Sequence, residues 1–260
     1  MRKTWWILLF LAIVPVSQTI AQPSLGPGAI VNGASFRAAS DPNGALAPGA
    51  IVSAFGSNLA SGTQLALTVP LSTSINGSSL IFSAGGVDYA APLFFVSTGQ
   101  SNAQVPFNVP TGGVVTARAN FNGQDSASNP VNMATVSPGI FANAGVGAIL
   151  HNSTFAAVTS SNPAVAGEFV VIYCTGLGPL DHPVDSGVPA PGVEPLPRTL
   201  TLPLVNVGTA PASVVYSGLA PTFVGLYQVA IEVPNVASGD QQLVITINNV
   251  PSNSVIMTVK

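Results

Sequence analysis

The sequence predicts an all-β protein built as two tandem β-sandwich domains after a signal peptide. Three observations predict it: an internal duplication, short apolar runs cut by glycine and proline, and a basic-then-apolar amino terminus. The duplication is the strongest. Residues 28–31 (GAIV) return as 147–150 (GAIL), and 48–59 (PGAIVSAFGSNL) as 166–177 (AGEFVVIYCTGL). Further on, 104–110 (QVPFNVP) returns as 228–234 (QVAIEVP), and 128–133 (SNPVNM) as 252–257 (SNSVIM). Order is kept while the offset moves from 118 at residue 48 to 124 at residue 104, as when repeats differ by loop insertions. One copy therefore spans 28–136 and the other 147–260, with 137–146 between them, each of ordinary single-domain size.

The leader is read at residues 1–21. Arg2 and Lys3 form a basic start, residues 5–16 are apolar, and Thr19 and Ala21 stand at −3 and −1 of a cleavage before Gln22. The other reading of this stretch is an uncleaved anchor. No lipobox cysteine stands at the cleavage point, and no later run of about 18 apolar residues occurs, so no membrane association is expected after cleavage.

Strands are expected where β-branched and aromatic residues cluster between glycines, as at 51–55 and 169–173. Residues 80–82 and 87–89 flank Ser83-Ala84-Gly85-Gly86 and read as a hairpin. Runs at 93–96, 226–231 and 243–247 add further strands. Seven or so short strands per copy, with turn signals every 8–12 residues or so, point to an immunoglobulin-like sandwich. The joining stretch Ser137-Pro138-Gly139-Ile140-Phe141 is short and partly apolar, so the domains are expected to touch.

Composition excludes several function classes. Past residue 21 only Arg37, Arg118, Arg198 and Lys260 are basic against nine acids, a net charge of −5. Four scattered cations do not make a phosphate-binding footprint, so no nucleic acid is expected as partner. A hydrophobic share of 47% excludes disorder. The single cysteine, Cys174, excludes an intrachain disulfide and a thiolate metal cluster, and reads as buried and inert.

Catalytic signals are poor. G-x-S-x-G and HExxH are absent. The repeats differ most in the loop 178–198 of the second copy, which holds six prolines and the densest charge of the chain. Its candidates for binding are Asp181, His182, Asp185, Glu194 and Arg198. Asp181, His182 and Asp185 are weak candidates for a cation, since a solvated loop explains them as well, and no metal or cofactor is expected. The other histidine, His151, reads as an ordinary solvated loop residue. Gln104 and Gln228 read as equivalent residues that hydrogen-bond stray backbone. Phe94, Phe95, Phe107, Tyr216, Phe223 and Tyr227 read as core.

Residues 48–59, 91–97 (APLFFVS), 102–106 (NAQVP), 173–179 (YCTGLGP) and 218–229 (GLAPTFVGLYQV) carry a resemblance. Together they resemble the C-terminal repeat module of secreted Acidobacteria proteins, the Solibacter-type module, over about 28–259. Each half is similar, more loosely, to IPT/TIG immunoglobulin-like domains. The resemblance implies export and a β-sandwich, and implies no reaction or ligand. The expectation is a secreted, non-catalytic module with a structural, adhesion or binding role outside the cell or at its envelope. A lectin-like polysaccharide-binding module is the alternative, and a hydrolytic or metal-dependent enzyme the third. The partner is left open between a cell-envelope protein and a polysaccharide.

Overall fold

A computed structural model describes residues 21–41 and 44–260. The leader expected at 1–21 therefore lies, but for Ala21, outside the described residues. Every regular element described is a strand, and no helix is long and apolar enough to cross a membrane.

The first copy runs β1 (Ser24–Asn32), β2 (Ile51–Ser57), β3 (Gln64–Leu65), β4 (Ser78–Ala84), β5 (Val87–Ala90), β6 (Leu93–Val96), β7 (Gln100–Gln104), β8 (Gly113–Phe121), β9 (Gln124–Asp125) and β10 (Asn129–Met133). One sheet has the order β1-β2-β7-β6-β3, the other β10-β8-β4-β5, with β9 on β8. Strand period decides which side chains meet between them. Along β8, Val115, Ala117, Ala119 and Phe121 are buried while their neighbours are not. Val115, Ala117 and Ala119 join Val52, Ala54, Leu80, Phe82, Leu93 and Val131 in one core.

The second copy runs β11 (Gly139–Ile140), β12 (Ala142–Asn143), β13 (Val146–Gly147), β14 (Ile149–His151), β15 (Phe169–Thr175), β16 (Leu204–Val207), β17 (Ala210–Leu219), β18 (Tyr227–Glu232), β19 (Gly239–Ile247), β20 (Val250–Pro251) and β21 (Val255–Val259). Its two layers enclose Val170, Ile172, Tyr227, Ile231, Ile245 and Met257. Here the layers are continuous through β17, which pairs with β16 at one end and β18 at the other. The matching run in the first copy is split into β5 and β6 by Ala91-Pro92. Proline has no N–H to continue a ladder, so the strand ends there.

Registers correct the alignment of the copies. Ile51 faces Gln104 and Phe169 faces Glu232. Gly49 N–H donates to Val105 O and Gly167 N–H to Val233 O. Gln104 is thus equivalent to Glu232, and Gln228 to Gln100, which faces Phe55 as Gln228 faces Tyr173. The expected match of Gln104 with Gln228 is four residues out. A longer loop between β17 and β18 shifts the second copy, and Gln-Val recurs by chance at the wrong place. Likewise Ser126, not Ser128, matches Ser252: each hydroxyl accepts from the strand before it, at 3.0 Å from Ala119 N and 3.1 Å from Ile245 N.

The joining stretch is built into the second domain. Gly139 pairs with Thr175 and Ile140 with Cys174. Residues 142–147 form a small hairpin, and β13 continues onto β21. His151 is not a solvated loop residue. It lies on β14, 7% exposed, with Nδ1 3.1 Å from Glu168 Oε1 and Nε2 3.2 Å from Asn162 O.

Candidate functional site

The loop 178–198 is held at its root by close backbone packing. A side chain on Gly176 (φ +75°) would meet Ser137 O at 2.1 Å. The Tyr227 hydroxyl, fully buried, donates to Gly178 O at 2.7 Å. Burial pushes that phenol up, as it does the neighbouring Cys174 thiol, so both stay protonated.

Four of the five candidate residues converge where the loop closes. Arg198 N–H donates to Asp181 Oδ1 at 2.8 Å, and Asp181 N–H to Arg198 O at 2.9 Å. The Arg198 guanidinium donates to Glu194 Oε1 at 2.7 Å and lies 4.8 Å from the centre of the Tyr216 ring. His182 Nδ1 is 3.0 Å from Asp181 Oδ1. The backbone N–H of Arg198 lowers the Asp181 carboxyl, and that of Leu196 lowers Glu194. These charges fasten the loop to itself. Asp185 is elsewhere, and no group of three histidine, cysteine or acidic side chains suited to a metal ion exists among the described residues.

The middle of the loop crosses to the first domain. Ser186 Oγ accepts from Phe107 N–H at 2.9 Å. Gly187 N–H donates to Gln104 Oε1 at 2.7 Å, and Gly187 O accepts from Leu71 N–H at 2.8 Å. Gly187 has φ +80°, and a Cβ there would stand 3.0 Å from Leu71 O and 3.1 Å from Pro92. Only glycine meets both conditions. Thr175 Oγ1 accepts from Ile51 N–H at 2.8 Å, and Asn32 Nδ2 donates to Ser137 O at 3.0 Å. Phe107, expected in the core of its own copy, packs against that of the second. The loop is first a clamp between domains, which its sequence did not disclose.

Two hollows flank Val184 and Phe107. One, about 300 Å³, is mostly apolar, lined by Pro48, Leu180, Pro183 and Val184 among others. The other, about 410 Å³, is lined by Asp88, Tyr89, Asn108, Asp185 and Ser186 beside Pro106 and Phe107. Here Asp185 meets residues of the first domain. Arg118 holds Asp88 through Nη2–Oδ2 at 2.6 Å and Nη1–Oδ1 at 3.1 Å, and Ser83 Oγ donates at 2.6 Å. These bonds bring the Asp88 carboxyl down to about 2. Tyr89 hydroxyl, the Asn108 amide and the Asp185 carboxylate make no hydrogen bond among the described residues. The hollow thus offers carboxylate acceptors, an amide and two aromatic rings. Sequence reasoning found Asp185 but missed Asp88, Tyr89 and Asn108, which lie far from it in the chain. Phe223, expected in the core, is 53% exposed, beside the loop rather than beneath it.

No family model matches the chain, and no curated protein matches it. Among solved structures it is similar to a surface glycan-binding protein, SGBP-B, from a xyloglucan utilization locus of Bacteroides uniformis, at 9% identity and TM-score 0.29. That match covers 92% of this chain and 49% of the other. A second is SGBP-B of the mixed-linkage glucan utilization locus of Bacteroides ovatus, at 12% identity and TM-score 0.34, covering 83% and 42%. A third is the titin Ig tandem A164-A165, at 8% identity and TM-score 0.20, covering 82% and 89%. The chain spans less than half the length of either SGBP-B.

Proposed function

We propose that this chain is a secreted, non-catalytic binding module that takes a neutral polysaccharide in the hollow between its domains. The observation that carries this reading is the set of unpaired polar side chains, Tyr89, Asn108 and Asp185, beside the Phe107 ring. Carboxylates and an amide suit sugar hydroxyls, and a ring suits the apolar face of a sugar. Export is inferred from the leader, and the absence of catalysis from the poverty of activated nucleophiles. Both histidines are engaged with carboxylates, and Cys174 is buried and protonated. A role in protein adhesion is the second reading. It is favoured by two rows of alternating exposed residues, Leu65, Leu67 and Val69 in one copy and Leu200, Leu202 and Leu204 in the other.

Residues 22–260 should be titrated with uncharged cell-wall and environmental polysaccharides beside a Tyr89→Ala, Asp185→Asn variant. Saturable binding, weakened at least tenfold in the variant and little affected by salt, is expected. Undiminished binding by the variant moves the site elsewhere. Binding by neither protein removes the polysaccharide reading and leaves the adhesion one.

A further inference from the structure

The turn after β1 has the same design in both copies, and one of its residues is out of place by the rules of turn chemistry. Asn32 N–H donates to Arg37 O at 3.0 Å, and Phe36 N–H to Asn32 O at 2.9 Å. In the second copy His151 N–H donates to Ala156 O at 2.9 Å, and Phe155 N–H to His151 O at 2.8 Å. Each turn closes through a residue in the left-handed region, and each time that residue is phenylalanine, at φ 56°. Glycine or asparagine ordinarily takes such a place, because a bulky side chain crowds its own backbone there.

Burial does not explain the choice. Phe36 is 62% exposed and Phe155 70%. Descent from one ancestral module does not explain it either, because the rest of the turn has diverged. The six residues read N-G-A-S-F-R in one copy and H-N-S-T-F-A in the other, and only the phenylalanine is shared. A strained, exposed aromatic kept twice while its neighbours change is the mark of a contact made outside the fold.

We propose that Phe36 and Phe155 are paired stacking anchors, one per domain, for successive segments of a polysaccharide chain. This rests on the polysaccharide reading above and adds contacts outside the hollow. The residues next to each phenylalanine in sequence are mostly small and polar, Ser35 in one turn and Asn152, Ser153 and Thr154 in the other, with Arg37 following Phe36. That suits a sugar ring, with its C–H face and its rim of hydroxyls. A lipid surface calls for a broader apolar face and for basic residues, and this chain is acidic. The clamp at Gly187 and Gln104 holds the domains against each other, so the two anchors sit at a set separation. A polymer that reaches both gains from effective concentration, whereas a short oligosaccharide cannot.

The test uses residues 22–260 carrying Phe36→Asn, Phe155→Asn, or both, against a bound polysaccharide and a short oligosaccharide of it. Asparagine suits the left-handed place, so the melting temperature should be unchanged or a few degrees higher. Each single change should weaken polymer binding about tenfold, the double change at least a hundredfold, and oligosaccharide binding in the hollow should move less than twofold. Unchanged polymer binding by the double variant overturns the anchors while leaving the hollow intact. Failure of the wild type to bind any polysaccharide overturns both readings. Binding to neutral or anionic lipid vesicles, lost in the double variant, overturns the sugar assignment in favour of a membrane.

Discussion

One end of each sandwich has the same backbone and a different fate. In the first copy Gly49, Gln104, Pro106 and Phe107 form the face that receives the second domain. Gly167, Glu232, Pro234 and Asn235 are their equivalents, and together with Ala166, Pro211 and Ser213 they line an open hollow instead. The substitutions explain the difference. Phe107 packs on the neighbouring core where Asn235 stays exposed, and Gln104 is fully buried where Glu232 faces solvent. A duplicated fold supplies the surface twice, and a few side chains decide which copy becomes an interface.

Matched substitutions sharpen that comparison. Gly49 and Gly167 share a left-handed conformation, at φ +78° and +86°. A Cβ on Gly49 would lie 2.2 Å from the Phe107 ring, whereas one on Gly167 meets nothing within 4 Å. Gly167→Ala should cost about 1 kcal/mol from backbone strain alone. Gly49→Ala should cost about 3 kcal/mol, because the ring must also be displaced from the junction. Calorimetry of the two variants checks this, and equal losses would mean that Phe107 is free to move aside.

A smaller effect is expected at the next pair. Gln104→Leu leaves the Gly187 N–H without its acceptor and should cost about 1–2 kcal/mol. The loss is moderated because the Nε2 of Gln104 already lacks a protein partner. Glu232→Leu, on the open face, should stay within about 0.5 kcal/mol. Denaturant unfolding of both variants measures the difference. A junction that tolerates Gln104→Leu as well would show that the clamp depends on Ser186 and Phe107 rather than on this bond.

The smallest effect concerns acid. Asp88, which strand register matches with Thr209 in the second copy, has its carboxyl lowered from 3.8 to about 2 by Arg118 and Ser83. A carboxyl lowered on folding stabilises above its unfolded value and loses that contribution as pH falls through the folded one. Stability from Asp88 should therefore fade between about pH 4 and pH 2. Melting temperatures of wild type and Asp88→Asn should converge over that window. Asp181 and Glu194, also lowered, supply the slope that remains.

Much of the fold is legible in the sequence. Runs such as 51–55, 169–173 and 243–247 become strands because β-branched and aromatic residues between glycines leave the backbone few other arrangements. The hairpin at 83–86 is readable from its glycine pair, and Tyr227 lies in the core as its apolar setting implies. The site is far less legible. Asp181, His182, Glu194 and Arg198 are close in sequence and do come together, but as fasteners of their own loop. Asp185 gains its setting from Asp88, Tyr89 and Asn108, and nothing local announces those partners. His151 misleads because its neighbours are polar, while its burial comes from Glu168 and Asn162 across the turn.

The sequence by itself determined the duplication, the all-β class and the periodic cores, because strand formation and burial follow short-range pattern. The tertiary structure alone decided which copies of a repeated residue correspond, since Gln104 matches Glu232 only after the longer loop before β18 is taken into account. It alone turned the loop 178–198 into a clamp, and it alone placed Phe36 and Phe155 in a conformation their side chains resist. Contacts between distant segments depend on how loops of different length close on one another, and no local pattern of side chains encodes that.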